Sequence, residues 1–440
     1  MVGVRYIGAA LAALGIMACA GAAEAAPLLP HQAPLELDSA ATAWLLTSTA
    51  LVLLMTLPGI ALFYGGMVRK KNVLGTAAHA IGAATVVIVL WFLVGYSLAF
   101  GKAPGEGLNR FIGSFDAMLL NGVRPDTAHG AVKAVPEFLF LAYQMTFAVI
   151  TPAIIAGAFA ERIRFSTFLL FTALWHLIVY VPVAHWVWAG GILGANGVLD
   201  FAGGAVVHVN SGVAGLVCAL FLGPRRGWGR DNLAPHNLAL TMVGASLLWV
   251  GWIGFNAGSA LAADALAATA LINTLIASAT GAVGWMAVEW FERKRPTLLG
   301  MLTGAVAGLV AITPAAGFAA PKGAFVIGLI GGIVCYAAAV WLKRRLKYDD
   351  SLDAFGVHGA GGLAGALLTG IFADASINPM GKDANLWTQT WGTLAVVGWS
   401  AAGTLAILWV CKLTVGLRVE DDQEVEGLDL AVHGEALHDS

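Results

Sequence analysis

Long apolar runs separated by short polar connections dominate this chain. Runs of bilayer-spanning length fall at roughly 43–63, 74–99, 138–159, 165–190, 202–222, 238–258, 265–290, 299–317, 323–342, 354–373 and 390–416. A helix crosses the hydrocarbon core with about 20 predominantly apolar residues, so the pattern predicts eleven transmembrane helices. The connections alternate in basic content. One set holds Arg69-Lys-Lys71, Arg162 and Arg164, Arg225, Arg226 and Arg230, Arg293-Lys-Arg295, and Lys343-Arg-Arg345 with Lys347. With Lys412 and Arg418 this set carries 17 basic residues, whereas the alternate set (Lys102, Arg110, Arg124, Lys133, Lys322, Lys382) carries 6. Basic residues are retained on the cytoplasmic side. The expected topology is therefore N-terminus out and C-terminus in.

The first 25 residues fit the same orientation. One early charge at Arg5, a short apolar run from Tyr6 to Ala20 and the small-x-small segment Ala23-Glu24-Ala25 make a secretory signal peptide. The expected organisation is a leader over 1–25, a membrane domain over 39–417 and a polar, acidic tail over 418–440.

The first ten helices read as two halves of five. Gly59-Ile-Ala-Leu-Phe63-Tyr-Gly65-Gly66 is echoed by Gly251-Trp-Ile-Gly-Phe255-Asn-Ala257-Gly258. Ile150-Thr151-Pro152-Ala153 is echoed by Ile312-Thr313-Pro314-Ala315, and Val207-His208 with Gly212, Ala214 and Gly215 by Val357-His358 with Gly362, Ala364 and Gly365. An odd number of helices per half inverts the second half across the membrane, an architecture that puts sites near the midplane. The fold class is then an all-α polytopic membrane protein with an inverted 5+5 repeat plus a C-terminal helix. The many glycines at presumed interfaces read as close helix packing.

Composition narrows the field. Hydrophobic residues make up 59% of the chain and charged residues 11%, against about 25% charged in soluble domains. A net charge of −2 gives no footing for nucleic-acid binding. Four scattered cysteines (Cys19, Cys218, Cys335, Cys411) argue against a disulfide framework and a clustered metal site.

Ionisable side chains within membrane spans are costly and mark function by default. His208 and His358 stand out because the repeat makes them equivalents, each eight residues after an aspartate, Asp200 and Asp350. At about 1.5 Å per helical residue both imidazoles lie about 12 Å in, near the middle of a core about 30 Å thick. A lone buried histidine is ordinarily a satisfied link between helices; a symmetry-related pair at mid-depth points to a site. His79, His176 and His185 lack repeat partners and read as packing or rim residues. Two imidazoles without further ligands do not make a metal centre. Asp200 reads as a helix cap, with a second expected role of lending negative potential at the outer entrance. Trp188, Trp252, Phe255 and Ser259 fall at the outer ends of their helices. An interfacial aromatic belt accounts for most tryptophans, yet an aromatic group with a hydroxyl also suits a small cation.

The segment Asp200-Phe-Ala-Gly-Gly-Ala-Val-Val-His208-Val-Asn-Ser-Gly-Val-Ala-Gly-Leu216 resembles the signature of the ammonium transporter family, which includes methylammonium permeases and, more distantly, Rhesus glycoproteins. Phe63-Tyr-Gly-Gly-Met-Val-Arg69, Ala160-Glu-Arg-Ile-Arg-Phe165, Gly251-Trp-Ile-Gly-Phe-Asn-Ala-Gly-Ser259, Phe355-Gly-Val-His-Gly359 and Thr414-Val-Gly-Leu-Arg-Val419 extend the likeness over nearly the whole mature chain. It implies a bacterial inner-membrane homotrimer with a narrow hydrophobic pore in each subunit. Phe147, Trp188, Phe255 and Ser259 would recruit ammonium, Phe147 and Phe255 would form a gate, and His208 and His358 would line the pore. Asp200, Trp252 and Thr313 would support the path, and Tyr143 would supply a second aromatic ring one turn from Phe147. Neither a cofactor nor enzymatic chemistry is implied. A PII-type nitrogen-signalling protein is the expected partner of the tail on the cytoplasmic face. The alternative is an ammonium sensor of the same fold, disfavoured because only about 24 residues follow the last helix.

Overall fold

The computed structural model describes residues 27–437; the leader expected over 1–25 lies outside the described residues. Among the described residues, eleven helices are long and apolar enough to span a membrane. They are α1 (Ser39–Met67), α2 (Lys70–Phe100), α3 (Glu137–Phe159), α4 (Phe165–Trp188), α5 (Gly204–Leu222), α6 (Leu238–Ala260), α7 (Ala265–Arg293), α8 (Leu298–Ala315), α9 (Pro321–Leu346), α10 (Phe355–Phe372) and α11 (Leu386–Thr414). Each lies within a few residues of the apolar run that predicted it. Burial is uneven: α3 and α5 are largely enclosed, whereas α2 and α11 leave most of their surface open. In lipid such surface needs no protein cover, because the surrounding tails are as apolar as the side chains.

The inverted repeat extends to side-chain detail. Thr151 and Thr313 each donate back one turn, to Phe147 O at 2.6 Å and to Leu309 O at 2.7 Å. The carboxylates of Asp200 and Asp350 each accept from the first backbone N–H groups of the following helix. His208 lies in a widened π-type stretch, Gly204–Val209, and His358 in its counterpart, Phe355–Gly359. Such π turns are uncommon and concentrate at functional positions. The two helices cross where glycines permit it: a methyl on Gly212 would come within 2.1 Å of Gly359 N, and one on Gly362 within 2.9 Å of Val209 N. That contact sets the histidines side by side.

The basic connections gather at one end. The buried Glu161 carboxylate meets Arg69 Nε at 3.2 Å and Arg225 Nη1 at 3.1 Å, and Arg225 continues to Asp349 at 2.8 Å. Burial pushes the Glu161 carboxyl up, but Arg225 and Arg69 outweigh it and hold the group below the usual carboxylate range. Four connections from both halves are thereby tied together. On this end sits an ordered tail with two short helices, α12 (Asp421–Glu426) and α13 (Leu428–His433). Glu420 pairs with Arg164, Asp421 with Arg226 and Glu424 with Arg418. Leu428 N donates to Asn72 Oδ1 at 2.8 Å, and Gly75 N to Asp429 Oδ1 at 2.8 Å.

At the opposite end the all-α expectation needs one addition. β1 (Gln32–Pro34) pairs antiparallel with β2 (Thr127–His129), with Ala33 opposite Ala128. Strands this short carry no periodic signal in the sequence. The buried Glu137 carboxylate fastens the pair to α3 by accepting from Gln32 Nε2 at 2.6 Å and Thr127 Oγ1 at 3.0 Å.

Candidate functional site

A line of rings runs along the axis where α3, α5, α6 and α10 meet. Trp188, at the end of α4, packs edge-on against Phe147 of α3 with ring centroids 5.7 Å apart. Phe147 lies over Phe255 of α6 at 4.4 Å. Phe255 in turn stacks on His208 at 5.8 Å, and Trp252 stacks on the same imidazole at 5.3 Å. Beneath them His208 and His358 approach Nδ1 to Nδ1 at 3.2 Å. All of the residues expected at the mouth and in the pore thus converge. They come from both halves of the repeat and from positions far apart in sequence.

Two pockets flank this line. The outer one, about 150 Å³, is lined by Phe147, Trp188 and Ser259 together with Gln144, Phe201 and Leu261. The inner one, about 180 Å³, opens toward the basic end and is lined by His358, Val357, Phe63, Tyr64 and Leu352 among others. Phe255, His208 and Trp252 line neither. Their side chains fill the space between the two pockets and are at most 1% exposed. Rings separate the two pockets.

Supporting contacts fix each member. Trp252 Nε1 donates to Thr313 Oγ1 at 3.0 Å, bringing together two positions read separately from the sequence. Trp188 Nε1 donates to Asp200 O at 2.9 Å. The Asp200 carboxylate accepts four backbone N–H groups, from Gly203, Gly204, Ala205 and Val206, at 2.6–3.0 Å. It is turned into the first turn of α5 and does not line the outer pocket. His79 packs among Phe159, Phe165 and Phe168, and His185 holds the backbone carbonyls of Ala99 and Asn109. Both stand apart from the path.

The histidine pair has a definite chemistry. Neutral imidazole has one N–H and one lone pair, so a single proton lies between the two Nδ1 atoms. The ring that gives this proton keeps a lone pair on its Nε2, and the other ring carries N–H there. His208 Nε2 is buried and has no hydrogen-bond partner in the protein. A small polar solute passing through would therefore meet an acceptor on one ring and a donor on the other.

Sequence reasoning missed Gln144, Phe201 and Leu261 as residues lining the outer pocket. Gln144 was the most discoverable, as a polar side chain within an apolar helix beside Tyr143. Leu261 gave no signal, because its place depends on a left-handed backbone (φ 57°) after α6.

An inverted helical bundle with a closed apolar path between two mouths defines a membrane transport protein for a small solute. The Ammonium Transporter Family profile matches residues 43–437, and the chain belongs to that family. It is 49% identical over 404 residues to an ammonium transporter of Bacillus subtilis (strain 168), covering 90% of this chain and 98% of that protein. Among solved structures, Mep2 of Saccharomyces cerevisiae matches with a TM-score of 0.80 at 36% identity, over 88% of this chain and 89% of that one. A sensor Amt protein matches with a TM-score of 0.81 at 30% identity, over 89% of this chain and 98% of that one.

Proposed function

We propose that the chain transports ammonium across the bacterial inner membrane by recruiting the cation, removing its proton and conducting ammonia past the twin histidines. The observation that carries this is the ring-closed segment between the two pockets, with an imidazole pair as its hydrogen-bonding groups. Ammonium is close to potassium in size, so a wet pore would discriminate poorly between them. A dry constriction makes each ion shed water, at an idealised cost of order 20 kcal/mol. Ammonium escapes that cost by releasing a proton, and potassium has none to release. Phe147, Trp188, Phe255 and Ser259 serve as the recruitment site, through cation–π attraction and a hydroxyl acceptor. Trp252, Thr313 and Asp200 hold the path in shape. Net uptake is electrogenic, the released proton crossing as well.

The membrane domain covers 39–417 of a homotrimer, the leader 1–25 is removed, and the tail 418–440 lies in the cytoplasm. Current recording on purified protein in liposomes after an ammonium jump, with potassium as control, tests the proposal. A chain that only senses ammonium would bind it and pass no current.

Trp188→Leu should raise the half-saturating ammonium concentration about 5- to 30-fold, as loss of about 1–2 kcal/mol of cation–π attraction requires. Unchanged concentration dependence and ion preference would leave Trp188 a belt residue. On the inner face, a PII-type nitrogen-signalling protein is expected to dock beside the basic loops and the ordered tail. Pull-down with and without that protein's nucleotide effectors checks this, and failure to bind in every state would count against it.

A further inference from the structure

The outer site contains a hydroxyl whose geometry the recruitment role leaves unused. Tyr143 lies on α3 one turn before Phe147, and its ring is fully buried. Its ring edge meets Phe147 at 5.0 Å. The Tyr143 hydroxyl reaches across to the last turn of α6, where it lies 2.9 Å from Gly254 O, 3.0 Å from Phe255 O and 3.2 Å from Ser259 Oγ. Ser259 Oγ is in turn 2.9 Å from Phe255 O. Space for this arrangement is made at Gly258, where an added methyl would stand 2.7 Å from the tyrosine oxygen.

The proton count decides what this cluster does. Gly254 O and Phe255 O can only accept, while each hydroxyl has one proton to give. If Tyr143 donates to either carbonyl, the serine proton has two protein acceptors, Phe255 O and the tyrosine oxygen. In both choices the serine proton points away from the pocket, leaving a lone pair free on the pocket side. A free serine hydroxyl could turn its proton outward and meet an arriving cation with the wrong end of its dipole. Phe255 O already holds the serine proton inward, and Tyr143 adds a second inward partner beside it, which favours that orientation further; it also ties the Phe255 backbone to the helix that carries Phe147.

We propose that Tyr143 is a positioning residue that fixes Ser259 as a hydrogen-bond acceptor for ammonium and so sets affinity at the outer mouth. The assignment rests on the recruitment role proposed above for Ser259. Its effect falls on loading rather than on passage, because the hydroxyl lies behind the pocket wall and off the line from Phe255 to His358.

The test is a double-mutant cycle on the full-length protein in liposomes, reading half-saturating ammonium concentration and maximal current separately. Ser259→Ala should raise the half-saturating concentration about tenfold, as loss of one hydrogen bond to a charged group implies. Tyr143→Phe should raise it about fivefold, the worth of an ordinary hydrogen bond, with maximal current changed by less than about twofold. In the Ser259→Ala background Tyr143→Phe should add nothing, since residues acting through one group are not additive. No change in Ser259→Ala overturns the recruitment role itself. A raised value in Ser259→Ala with no effect of Tyr143→Phe, or with additive effects, overturns only the role of Tyr143. A fall in maximal current at unchanged half-saturation makes Tyr143 a packing residue of the gate and likewise overturns the proposal.

Discussion

Replacing His208 with Ala should lower ammonium-driven current in liposomes about 10- to 100-fold while the purified protein keeps its helical content and oligomeric state. On the proposed path, ammonia between the two pockets would have, among the described residues, the imidazoles as its hydrogen-bonding partners, because the rings of Phe255 and Trp252 enclose His208 from the sides. An unmade hydrogen bond in a buried place costs about 1–3 kcal/mol, and each 1.36 kcal/mol is about tenfold in rate. His358→Ala should be milder, since His358 borders the inner pocket and water there can replace it. His208→Asp keeps a polar group but adds negative charge to the closed segment, which draws in water and cations. Its current should therefore lose preference for ammonium over potassium. Wild-type current with wild-type selectivity in both Ala variants would make the pair a structural link between α5 and α10.

Why this site was readable from sequence follows from how it is built. His208 and His358 declare themselves because apolar helices leave little else to carry charge, and because the repeat supplies each with a counterpart. Depth came from counting residues from Asp200 and Asp350, since helical rise is nearly constant. Phe147, Trp188 and Ser259 could not be grouped that way. They sit on three helices with no common spacing, so only the resemblance to the family joined them before the fold did. The π turns around the histidines were not legible at all. They lie beside the contacts of Gly212 with Gly359 and of Gly362 with Val209, between helices 150 residues apart in sequence. Tyr143 was foreseen as a ring and missed as a hydroxyl. Its partners are carbonyls of another helix, whose direction depends on how α6 ends. The strands over Gln32–Pro34 and Thr127–His129 escaped for the same reason, being held by Glu137 rather than by their own pattern.

Asp200→Ala should be the most damaging single change outside the line of rings. Asp200 is 6% exposed, and its carboxylate is the side-chain acceptor for four successive N–H groups at the start of α5. A helix start normally leaves four such donors without intrahelical partners; here one residue satisfies all of them. Removing it orphans the donors at about 1–3 kcal/mol each, a sum comparable with the whole stability of an ordinary domain, about 5–15 kcal/mol. The turn affected is the one that carries His208, whose backbone N–H donates to Gly203 O at 3.0 Å. The Asp200 carbonyl also holds Trp188 Nε1, so disturbance of this turn reaches the mouth as well as the centre. Asp200→Ala should therefore lower the yield of folded protein, and what folds should show at least tenfold less current (roughly 1.4 kcal/mol of barrier). Its half-saturating concentration should also rise. Asp200→Asn should recover only part, since its Oδ1 can still accept two of the four N–H groups while its amide nitrogen turns N–H groups toward the other two. Asp350→Ala provides the comparison, because the Asp350 carboxylate caps two N–H groups rather than four. Its loss should be correspondingly smaller. Wild-type yield, current and half-saturation in Asp200→Ala would mean that water replaces the carboxylate and that the cap does not govern the placement of His208.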